Sequence, residues 1–78
     1  MPTVMWEIRA VEGRLDELLD WALGRLDPAA RVYRSNGGEA RLVVIDGSGQ
    51  AARQLADPPA ELIVRPGHSW EFSPVRNG

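Results

Sequence analysis

Between Gly13 and Leu26 the apolar residues return every three or four positions. At roughly 100° per residue, Leu15, Leu18, Leu19, Ala22, Leu23 and Leu26 share one stripe, and Asp16, Glu17, Asp20 and Gly24 lie opposite. This predicts an amphipathic helix that needs a flat apolar surface to lie on. Its acidic first turn suits the positive N-terminal end, Arg25 suits the last turn, and Asp27-Pro28 stops it. Upstream, Val4, Trp6, Ile8 and Ala10 alternate with Met5, Glu7 and Arg9, the period of a strand with one face buried. The even-numbered set is expected under the helix.

Downstream, Arg31 to Ser35 reads as a short strand, followed by Asn36-Gly37, the favoured pair for a tight hairpin, with Gly38 loosening it. Ala40 to Asp46 is its partner. Four consecutive apolar residues, Leu42 to Ile45, imply that both faces of that strand are covered. After the loop Asp46-Gly47-Ser48-Gly49, a helix is expected over 50–56 with Ala52, Leu55 and Ala56 inward. Asp57-Pro58-Pro59 breaks it. Residues 58–65 have two readings: a turn or two of helix started by Asp57 and Pro58, or a strand over Glu61 to Arg65. Ser69 to Val75 closes the pattern, with Trp70 and Phe72 on one face and Glu71 and Ser73 on the other. The ordered core is expected over about 3–75, and Val75 to Gly78 to fray.

Strand, helix, strand, strand, helix, strand is the order of a ferredoxin-like α+β sandwich in a single domain. Its antiparallel sheet has four strands, with both helices on one face and the second helix short or broken. The first and third strands are central there. Helices cover one face only, so the doubly apolar third strand implies that the far face is shielded by something else. A second copy of the chain is the economical cover.

Composition narrows the chemistry. The 78 residues contain no cysteine, which excludes disulfides, thiolate nucleophiles and cysteine-ligated metals. One histidine, His68, makes a dedicated transition-metal site unexpected. All nine basic residues are arginine, which removes lysine Schiff-base chemistry. No cofactor is implied. A core of this size yields only about 3–5 kcal/mol, so self-association is the stabilising device left. Net charge −2 and an acidic pI lack the footprint of a nucleic-acid binder, and ARLVVID displays no aromatic residue on which a base would stack. The opening MPTVMWEIRA has no basic region ahead of an apolar run, so neither a signal peptide nor a membrane span is expected, and the compartment expected is the cytoplasm.

The opening VMWEIRAVEGRLDELLDWAL, a strand passing through Gly-Arg into a helix of form xxDELLxW, resembles domains related to antibiotic-biosynthesis monooxygenases. RVYRS with its hairpin and RLVVID continues the likeness over residues 1–46. Members of that superfamily are dimeric α+β barrels with this strand order. Some oxidise aromatic substrates without a cofactor, some degrade haem, and many have no known activity. From Asp46 onward the chain departs from the family, whose long second helix walls the substrate cavity. No residue matches a catalytic motif of the family.

Candidate residues follow from these patterns. Trp6, Trp21 and Trp70 either line an aromatic pocket between helix and sheet, open to a small aromatic ligand, or fill core and edge. His68, beside Trp70, is a candidate general base for an acidic phenol or enol, or a turn residue bonded to backbone. Tyr33 is the other proton acceptor or donor considered. Ser48, in Gly-Ser-Gly ahead of a helix, either helps hold an anion or caps the helix. Met5, Glu7, Arg9, Val43 and Ile45 are expected at the interface of a homodimer, where Glu7 and Arg9 would pair across it. Two functions are drawn from this: a homodimeric interaction module without catalysis, or a cofactor-independent monooxygenase-like enzyme using a Trp-lined pocket.

Overall fold

In the computed structural model, which describes residues 3–76, the alternation at the N-terminus becomes β1 (Thr3–Arg9). Val4, Trp6 and Ile8 are buried and the residues between them are half-exposed. Gly13, at φ +81°, supplies the left-handed turn that swings the chain into α1 (Leu15–Leu23). Arg14 and Glu17 brace its first turn through paired hydrogen bonds of 2.7 and 2.8 Å. The helix stops three residues short of the expected Leu26, so Arg25 lies beyond its last turn. The Arg25 and Leu26 amides both donate to the Ala22 carbonyl, the first in a tighter turn, and carry the stripe as far as the half-buried Leu26. Leu15, Leu18 and Ala22 form the buried face, whereas Leu23 is 57% exposed.

The hairpin joins β2 (Arg31–Arg34) to β3 (Arg41–Asp46). The positive φ angles fall on Gly37 and Gly38, not on Asn36, so the turn sits one residue later than Asn-Gly alone implies. A one-turn α2 (Ala51–Gln54) follows, with Ala51 and Leu55 buried. Ala52 and Ala56, expected inward, are exposed. The chain then takes a left-handed conformation at Asp57, φ +56°, and makes a 3-10 turn over Ala60–Leu62. Ile63 bridges Ala10 in extended conformation, and the Val64 amide donates to the Arg9 carbonyl at 3.0 Å. Both readings of 58–65 are therefore partly realised: one tight turn, then one bridge. β4 (His68–Phe72) ends the sheet. Val75 is fully exposed, and residues 77 and 78 of the tail expected to fray lie outside the described residues.

The four strands are antiparallel in the order β2-β3-β1-β4, the ferredoxin-like α+β arrangement. Both helices lie on the face presented by Val4, Trp6, Ile8, Leu42 and Val44. Ile8, Leu18, Leu42, Val44 and Leu55 are the largest fully buried side chains of the core between them. α2 packs on β1 and β3 and does not reach over β4. The inward-facing residues of that edge strand, Ser69 and Glu71, stay exposed.

Candidate functional site

Residues directly opposite one another on antiparallel strands project from the same face, so register fixes what the helix-free side of the sheet displays. One row across it reads Trp70, Met5, Ile45, Arg31. The next reads His68, Glu7, Val43, Tyr33, and Phe72 stands opposite Thr3 above them. Met5, Val43 and Ile45 are only half-buried, while Trp70, Phe72 and Tyr33 are 44%, 51% and 47% exposed. No helix of the described residues covers this face.

The lower part of the same face is charged. Glu7, whose side chain is 12% exposed, sits between Arg41 and Arg65, each 3.5 Å away. Arg41 donates to Glu39 at 2.7 Å, and Arg9 reaches Glu39 at 3.2 Å. The hydrogen bond from Arg41 and the charge of Arg9 hold the Glu39 carboxyl below its ordinary range. Glu7 Oε1 and Arg65 Nε are buried without a hydrogen-bond partner. The outer face thus bears four arginines, Arg9, Arg31, Arg41 and Arg65, against two glutamates, on a chain whose net charge is −2.

Met5, Glu7, Arg9, Val43 and Ile45 share this face. The three tryptophans do not come together. Trp6, 4% exposed, points into the core, and Trp21 is half-buried on α1 with the Arg25 guanidinium 5.1 Å from its ring. Trp70 projects from the opposite face of the sheet. The pocket expected from all three is not formed, because β4 pairs Trp70 with Met5 and gives the place opposite Trp6 to Ser69. His68 stacks on Trp70, the ring centroids 6.0 Å apart and the planes 23° apart, and Tyr33 lies on the far side of the sheet beyond Glu7 and Val43. His68 and Tyr33 are therefore not placed to act together on one small substrate.

On the helix side a cleft of about 400 Å³ opens beside Trp6, lined by Leu55, Ile63, Pro66, Gly67 and others, with Asp57 and Ser69 contributing polar groups. Gly67 is required there by close approach: a Cβ would lie 2.7 Å from Trp6 Cζ2.

The sequence places Asp46 where the third strand passes into the loop, and β3 does end there, but its pattern assigns the side chain no role. Asp46 is 2% exposed, and its carboxylate accepts from the Ser48 amide at 2.9 Å, the Ser48 hydroxyl at 2.7 Å and the Gln50 amide at 2.9 Å. Burial pushes its pKa up, but the bonds from Ser48, Gln50 and Ala51 outweigh it and leave the pKa lowered. The anion that Ser48 and the Gln50 amide hold is the chain's own carboxylate. The Asp-x-Ser-x-Gln spacing was the available signal.

Among the described residues no cluster of three or more His, Cys, Asp or Glu side chains is placed to hold a metal ion, and no helix is long and apolar enough to cross a membrane. Comparison with protein-family models, curated proteins and solved structures finds no match.

Proposed function

We propose that this domain is a small interaction module that works as a homodimer in the cytoplasm, its copies meeting through their outer sheet faces, with no catalytic step of its own. One observation carries the reading. The two central strands present Met5, Val43 and Ile45 on a side that no other element of the described residues covers, flanked by exposed Trp70, Phe72 and Tyr33. The likeness of residues 1–46 to dimeric monooxygenase-like domains is consistent with it. Four strands about 4.8 Å apart and about five residues long make a face roughly 15–20 Å on a side. That is at the small end of stable interfaces, so association is expected at micromolar concentration and to depend on it. Light scattering across that range should give a mass above the 8.6 kDa of one chain. Ile45→Arg should abolish the part due to the face. A mass indifferent to Ile45→Arg overturns the reading.

The cleft beside Trp6 favours a second reading, a binder of small aromatic molecules, or a cofactor-independent monooxygenase-like enzyme acting on them. Saturable quenching of tryptophan fluorescence by polyketide-like aromatics, abolished by Ala56→Phe at the cleft wall, would support it. Quenching unaffected by that substitution would remove it.

A further inference from the structure

The free edge of β4 is built to pair with the same strand of a second copy, and we infer that the sheet continues through it into an antiparallel β4–β4 contact about a two-fold axis at Trp70. An edge strand offers a row of unpaired backbone donors and acceptors, and proteins ordinarily guard such edges with charge, proline, bulges or a covering element. β2, the other edge, is guarded. It is only four residues long and carries a charged arginine at each end, Arg31 and Arg34. β4 is less guarded, with no charge at either end and no proline within it. All five residues are exposed, it packs substantially on β1 alone, and Glu71 is its one acidic side chain.

Reversal of His68-Ser69-Trp70-Glu71-Phe72 about its centre reproduces its own pattern. Antiparallel self-pairing in that register sets Trp70 against Trp70, His68 against Phe72, and Ser69 against Glu71. The outer side becomes a continuous aromatic ladder, and aromatic pairs directly opposite one another stabilise a sheet. The other side places a hydroxyl donor against a carboxylate, with no like charges directly opposed. Pro66 and Pro74 bound the segment, so pairing stops at five residues. The contact is isologous and closes on itself, which selects a second copy over an open chain of copies. Its axis runs perpendicular to the sheet and leaves both outer faces free on the same side. The contact therefore goes beyond face-to-face association and does not need it.

The absence of cysteine makes the test clean. Ser69→Cys and Glu71→Cys, both at exposed positions, are oxidised separately and as a mixture at high micromolar concentration. The mixture should give several-fold more covalent dimer than either variant alone, because position 69 meets position 71 of the other copy. The same experiment in an Ile45→Arg background should give the same result, so failure of the face reading leaves this one standing, and the reverse. Amide exchange at residues 69–71 of the unmodified chain should slow as concentration rises. A mixture no better than the single variants overturns the inference, as do preferential linking of Ser69→Cys to Val32→Cys on β2 or exchange indifferent to concentration.

Discussion

Asp46 is where a single substitution is expected to cost most per atom changed. Its carboxylate takes three hydrogen bonds at 2.7–2.9 Å while 2% exposed, and two of the donors are backbone amides of the loop that starts α2. Asp46→Ala leaves those amides and the Ser48 hydroxyl without their acceptor. A buried donor left unmade costs about 1–3 kcal/mol, so the loss is expected at about 2–4 kcal/mol, most of what a domain of this size holds. Asp46→Asn keeps one acceptor oxygen but turns an NH₂ group toward one of the donors. About 1–2 kcal/mol is expected for it. The pH dependence has a definite sign. A carboxyl whose folded pKa lies below its unfolded value contributes stability that is present above the unfolded value, about 3.9, and lost as pH falls through the folded one. Urea titrations at fixed protein concentration, at neutral pH and stepped downward through the acid range, measure both effects. Wild type should lose part of its advantage over Asp46→Asn on acidification. Equal stability of the two proteins at neutral pH, or a gap that does not narrow in acid, would refute the account of this loop.

Other expectations are more local. Gly67→Ala should destabilise by about 1–3 kcal/mol, because its methyl group meets the Trp6 ring, and should shift tryptophan emission in the folded protein. Trp6→Ala should cost about 3–5 kcal/mol and leave the chain largely unfolded by circular dichroism. Glu7→Leu takes from Arg41 and Arg65 the carboxylate they share and raises the excess of arginine on the outer face, and should weaken self-association measured by dilution in sedimentation. Arg34→Ala, which breaks a 2.9 Å bridge to the exposed Asp16, should change stability by less than about 1 kcal/mol in urea.

The parts of the fold written in the sequence are those set by period and by long stretches. The alternation in Val4 to Ala10 and the stripe of α1 each bury one side, and the apolar run of β3 marks a central strand. The face taken by β4 was not legible, because an alternating strand at a sheet edge can present its aromatics to either side. What decides is the reach of α2, and one helical turn does not extend over β4. Trp70 and Phe72 therefore sit outside, and no local pattern of HSWEF distinguishes that from the opposite choice. Ala52 and Ala56 were misplaced for a related reason. A four-residue helix has too few positions for its period to define a face, and Ala51 and Leu55 take the inward places. The end of the third strand at Asp46 was legible, but the role of its carboxylate was not, because the groups that bond it come from residues that follow.

The outer face carries an excess of arginine on a molecule that is acidic as a whole, so each copy is polarised from one side of its sheet to the other. Two like-signed faces approaching each other repel until dissolved ions screen them over about 8 Å at physiological strength. Added sodium chloride should therefore strengthen face-to-face assembly, the reverse of what an oppositely charged pair would show. The population of assembled molecules would then track the ionic conditions of the compartment that holds them.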